Sequence, residues 1–69
     1  MRYATIIEKT STNYSAYVPD LPGCIATGAS IEDVSIQIHE AISFHLEGLK
    51  LESMPIPDAT TICEYIEAA

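Results

Sequence analysis

One long helical stripe governs what these 69 residues can become. Counted at about 100° per residue from Ile31, the residues Ile31, Val34, Ile38, Ala41, Ile42, His45 and Leu49 fall within an arc of about 100°, the width of a core-facing stripe. Ser30 precedes the pattern with Asp33 three residues on, a capping box with Asp in place of Glu, and Glu32 and Asp33 sit where the helix dipole favours negative charge. Gly48 weakens the far end, and Pro55 and Pro57 forbid continuation, so the helix is expected to stop around Leu51. A single helix with one apolar face has to cover something, and the rest of the chain offers strands.

Tyr3 to Glu8 and Tyr14 to Val18 are rich in β-branched and aromatic residues, and Thr10-Ser11-Thr12-Asn13 between them is the right length for a hairpin loop. In Pro19-Asp20-Leu21-Pro22-Gly23 two prolines remove donors and Gly23 can take a positive φ, so pairing stops in a rigid turn. Cys24 to Thr27 reads as a third strand ended by Gly28, and Thr60 to Ile66 alternates as a fourth. The expected fold is α+β, a single βββαβ domain over residues 1–69. It comprises a three-stranded antiparallel meander, one long helix on one sheet face, and a fourth strand returned parallel to the first in spatial order 3-2-1-4. The uncovered sheet face is expected to carry Tyr17 and some of Tyr3, Thr5 and Ile7.

Ten acidic residues against three basic ones give a net charge of -7 and a pI near 4.3. That is the wrong sign for gripping a phosphate backbone, so nucleic-acid binding by this chain is not expected. An apolar fraction of 48% argues for folding. No window reaches a membrane span and no signal peptide is evident, which makes the cytoplasm the expected compartment. Cys24 and Cys63 are too few for a disulfide framework and are read as reduced and structural. A core this small implies extra burial by association, so a homo-oligomer, a dimer or higher, is expected.

At Tyr17-Val18-Pro19-Asp20-Leu21-Pro22-Gly23-Cys24 the sequence becomes recognisable. This motif is followed by a Gly-containing strand end, then by an acidic helix closing in His45-Leu46-Glu47-Gly48-Leu49, and then by Pro55-Ile56-Pro57. Together these resemble the HicB antitoxin family over about Tyr3 to Ile66. The resemblance implies a truncated ribonuclease-H-like fold and an antitoxin of a type II toxin–antitoxin system. Such a protein neutralises a HicA-like, basic, mRNA-cleaving toxin by direct binding, without cofactor or metal. Relatives that repress their own operon carry a DNA-binding segment after the last strand. None is read here, and operator binding is not carried over. The alternative is an orphan HicB-like oligomeric module with a structural or regulatory role and no toxin.

The residues that would face a partner are Asp20, Asp33, Ile36, Glu40 and Glu47. Asp20 stands in the stiff turn, whose plain role is to join two strands. Asp33, Glu40 and Glu47 recur every seventh residue as an acidic stripe opposite the core face, and such a stripe is ordinarily mere solvation. Ile36 lies beside that stripe, roughly 160° from the core direction, where an isoleucine gains nothing unless a partner covers it, and Phe44 flanks it. His45 falls in the apolar arc and reads as a core histidine. His39 lies on the polar side, too far round the helix to share a metal with it. Cys24 has no neighbouring base. Glu8, Glu40 and Glu64 occupy the elements that carry ribonuclease-H carboxylates, but their faces diverge, so no metal site, no catalytic residue and no enzyme is expected.

Overall fold

The computed structural model describes residues 1–69. Local chemistry closes the first hairpin: the Thr10 N–H donates to the Asn13 carbonyl at 2.8 Å, while the Thr10 hydroxyl oxygen accepts from the N–H groups of Thr12 and Asn13. The loop brings β1 (Ile6–Lys9) antiparallel to β2 (Tyr14–Tyr17), with Ile6 opposite Tyr17 and Lys9 opposite Tyr14. β2 pairs in turn with β3 (Ile25–Gly28), and the sheet order is β1-β2-β3, as the meander reading expects.

The first strand is shorter at its start than its composition suggests, because Tyr3 to Thr5 lie outside the ladder. The Val18 N–H points to β3, where it donates to the Cys24 carbonyl at 3.2 Å. Successive residues of a strand alternate sides, so Tyr17 and Pro19 are turned toward β1. Pro19 has no N–H to give, and the ladder ends at the pair Ile6–Tyr17.

The Pro19–Gly23 turn also supplies the core. Hydrogen bonds from the Leu21 N–H to the Val18 carbonyl and from the Cys24 N–H to the Leu21 carbonyl, both 3.0 Å, wind it tightly enough that Val18, Leu21 and Cys24 are all buried. Gly23 holds φ at +84°, a conformation that strains any residue with a Cβ.

The helix α1 (Ile31–Leu51) begins and ends as expected. Ser30 Oγ accepts from the Asp33 N–H at 3.0 Å, and Asp33 Oδ2 reaches back to the Ala29 N–H at 2.9 Å, one residue before the cap. Val34 and Ile38 are its buried residues, with Ala41, Ile42 and Leu46 packed around them against β2 and β3. Gly28 sets this docking, because a Cβ there would lie 2.5 Å from the Val34 nitrogen. Contact therefore starts at Val34, and Ile31, expected in the core stripe, is 56% exposed at the helix start.

Register corrects the expected open face. Cross-strand partners share a face, so Ile7, Ala16 and Ala26 lie toward the helix, whereas Ile6, Tyr17 and Ile25 form an apolar row on the uncovered side. Tyr3, Thr5 and Ile7 belong to the helix side of the sheet, where Tyr3 packs against the core while Ile7, on the edge strand beyond the reach of α1, stays 38% exposed.

The larger correction concerns the fourth strand. Thr60–Ile66 carries neither strand nor helix, and the sheet has three strands. The backbone donors that would open that strand are engaged elsewhere: the N–H groups of Thr60 and Thr61 both donate to Asp20 Oδ2, at 3.0 and 2.9 Å. Upstream, the Tyr3 hydroxyl donates to the Pro57 carbonyl at 2.6 Å. The segment after α1 is thus fastened to the β2–β3 turn and to Tyr3 instead of being laddered onto β1.

Candidate functional site

The outer face of α1 follows from the same helical count that buries Val34 and Ile38. Ile36, Glu40 and Glu47 are all exposed there, with 58% of Ile36 accessible. Toward β3 this face runs into a shallow groove lined by Ile25, Ala26, Gln37, Glu40, Ala41 and Phe44. Ile25 and Phe44 are 70% and 83% exposed, so the acidic stripe is bordered by apolar surface that the fold itself does not cover.

The structure does not bring all five candidate partner residues to this face. Asp33 is half-buried, with its carboxylate turned back into the helix cap. Asp20 is on the β2–β3 turn, where its two oxygens accept the backbone N–H and the hydroxyl of both Thr60 and Thr61. These donors, the Thr61 N–H foremost and then its hydroxyl, hold the Asp20 carboxyl below its usual range by stabilising the charged form. A carboxylate two residues after Val18 with a Thr-Thr pair near the far end carries no periodic signal, so only the folded chain reveals this anchor.

Burial pushes the Cys24 thiol up, whereas Cys63 is free and exposed. His45 is half-buried on the core side of α1 and His39 is exposed. No three His, Cys, Asp or Glu side chains gather where a metal could be held: Glu8 is at β1, Glu40 on the outer helix face and Glu64 on the exposed C-terminal segment. No helix is long and apolar enough to cross a membrane. The outer face of α1 thus sets exposed carboxylates beside exposed apolar side chains.

Comparison with known proteins gives that surface a context. The family model described as the HicB_like antitoxin of bacterial toxin-antitoxin system matches residues 3–69. An uncharacterized 14.9 kDa protein from the rep–hol intergenic region of Haemophilus phage HP1 is 38% identical over 66 residues, covering 96% of this chain. The chain spans 50% of that relative's length. A UPF0150 protein of Thermoplasma acidophilum is 40% identical over 58 residues, covering 83% of this chain and 84% of its own. Among solved structures, a chain of the HicA3 and HicB3 toxin-antitoxin complex superposes with a TM-score of 0.75 at 33% identity, covering 87% of this chain and 70% of that one. With the matched region running from Tyr3 to the last residue and the fold shared, this chain belongs to the HicB-like antitoxin family of bacterial toxin–antitoxin systems.

Proposed function

We propose that this chain neutralises a HicA-like, mRNA-cleaving toxin by stoichiometric binding, without catalysis, cofactor or metal. The observation that carries the reading is the 33% identical structural relative, taken from a complex of HicA3 with HicB3. The mechanism is electrostatic and steric. A chain of net charge -7 attracts a basic, RNA-binding toxin, speeds encounter, and covers the surface where mRNA would lie. Glu40 and Glu47 with Ile36 form the contact. Asp20 and Asp33 add to the field while their oxygens stay engaged by the C-terminal segment and the helix cap. The same sign of charge keeps this chain off nucleic acid, and the proposed compartment is the cytoplasm.

The proposed ancestry of the fold is a truncated ribonuclease-H-like domain. Its carboxylates are dispersed over separate elements, which supports a binding role over an enzymatic one. Self-association belongs to the same reading, because only six residues are buried in the single chain. Co-expression with a HicA-like toxin tests the proposal. Growth is expected to be restored, with a complex of fixed stoichiometry on gel filtration against a catalytically inactive toxin. Continued toxicity with no complex at micromolar concentrations refutes it.

A further inference from the structure

The molecule holds an extended-type segment without a partner and a sheet edge without a neighbouring strand. β1 is bonded to β2 alone, and the register turns the N–H and C=O groups of Ile7 and Lys9 outward, toward no other strand. Ile62–Ile66 has the composition of a strand, with Ile62, Tyr65 and Ile66 around a single charge at Glu64. Within one chain the two lie on either side of a cleft lined by Thr5, Ile6 and Ile7 on one wall and by Ile62, Cys63 and Tyr65 on the other. No backbone hydrogen bond crosses it. The anchors at Pro57, Thr60 and Thr61 hold the base of the segment. Beyond them Ile62, Tyr65 and Ile66 are 83%, 105% and 78% exposed.

The surface area says how much is left uncovered. A folded monomer of 7.5 kDa should expose about 4,250 Å². This chain exposes 5432 Å², an excess of roughly 1,200 Å². A standard interface takes about 800 Å² from each partner, so the excess matches what a stable dimer would bury. The radius of gyration agrees: 13.3 Å, against about 11 Å for a compact chain of this length.

We infer that two copies exchange these arms, Ile62–Ile66 of each adding as a strand to the outer edge of β1 in the other. A second copy fits better than an unrelated partner because each chain offers one free strand and one free edge, and a two-fold pair satisfies both. The lengths agree, five residues spanning about 17 Å and the four of β1 about 13 Å. Charge agrees as well. Arg2 precedes β1 and Lys9 ends it, two of the three basic residues against the single acidic Glu8, while the arm and the residue after it bring Glu64 and Glu67, so the net charges of the two segments are opposite in chains that otherwise repel. Pro55 and Pro57 stiffen the approach and keep the arm from folding back along its own helix. The exchange extends the self-association proposed above by naming its seat.

Two variants of the full chain test it. Glu64→Pro removes a donor from the middle of an exposed arm and should leave the circular dichroism spectrum and melting of the domain unchanged. By analytical ultracentrifugation it should raise the dimer dissociation constant at least tenfold. Ile7→Cys places a thiol on the edge facing the native Cys63, and mild oxidation should yield a covalent dimer that is lost when Cys63→Ser is added. A disulfide mapped within one chain, or a dimer linked only through the two Cys63 thiols, overturns the exchange. A dimer that ignores Glu64→Pro overturns it while leaving self-association standing. A wild-type chain monomeric at about 100 μM overturns both.

Discussion

Gly28→Ala is the substitution whose effect the geometry constrains most tightly. The new Cβ would sit 2.5 Å from the Val34 nitrogen, 2.8 Å from its Cα and 3.0 Å from the Asp33 carbonyl carbon. All three atoms are backbone, in the first turn of a capped helix, so none can swing aside as a side-chain tip would. Relieving the contact to 3.4 Å needs a movement of 0.9 Å of helix against strand. Val34, fully buried, would be drawn out of its contacts with the core cluster of Ala16, Val18, Leu21, Cys24 and Ile38. Overpacking of this kind costs about 1–3 kcal/mol. At about 4–8 °C per kcal/mol for a domain of this size, a 2 kcal/mol loss lowers Tm by roughly 8–16 °C. Gly48→Ala is the internal control. Nothing lies within 4 Å of its added Cβ, and removing a glycine from a helix interior gains about 0.5–1 kcal/mol. Thermal and urea unfolding followed by circular dichroism at 222 nm reads both. Equal Tm values for Gly28→Ala and wild type would refute the claim that the strand–helix approach requires glycine.

The Asp20 anchor predicts a pH response. Its folded pKa is lowered from 3.8, so the anchoring contribution is fully present above that value and is lost as pH falls through the lower folded one. Amide exchange at Thr60 and Thr61 should accelerate in Asp20→Ala at neutral pH while the Val34 and Ile38 amides stay protected; uniform acceleration would contradict a local anchor. Ile38→Ala, in the core, should lose about 2–5 kcal/mol in urea titrations, and a loss under 1 would refute the packing assigned to α1. Native iodoacetamide treatment should add one label, at Cys63, and a second at Cys24 only in denaturant; two rapid additions would show that the β2–β3 turn opens readily. Against an inactive HicA-like toxin, Glu40→Gln with Glu47→Gln should slow association about tenfold at low salt. Ile36→Ala should speed dissociation instead, and wild-type kinetics in both would exclude the outer helix face. Asp33 is left out of that pair because its carboxylate caps the helix.

Features written in local chemistry are legible in the chain before it folds. The helix begins at Ile31 and ends at Leu51 because Ser30 accepts from one of its first N–H groups, Asp33 ties back the residue before the cap, and the prolines beyond forbid more turns, and those causes lie within a few residues of their effects. The meander order is legible for the same reason, since a short loop at Thr10–Asn13 and a rigid turn at Pro19–Gly23 leave neighbouring strands no other partner. The tertiary structure alone decided which donors go where. Thr60–Ile66 has the alternation of a strand, but its first N–H groups donate to the Asp20 carboxylate and not to β1, and no pattern in a linear sequence records that choice between acceptors. Register likewise placed Ile6 with Tyr17 and Ile25 on the face away from α1 and Ile7 with Ala16 and Ala26 on the other, a pairing across strands that no single strand's composition records. Gly28 reads in sequence as a strand end, and only the approach of α1 to within 2.5 Å of its absent Cβ shows that the packing depends on it. The outer helix face was legible as an acidic stripe with Ile36 beside it. That two of the five candidate partner residues, Asp20 on the turn and Asp33 at the helix start, hold the chain's own backbone is a property of hydrogen bonds that exist only once the chain has folded.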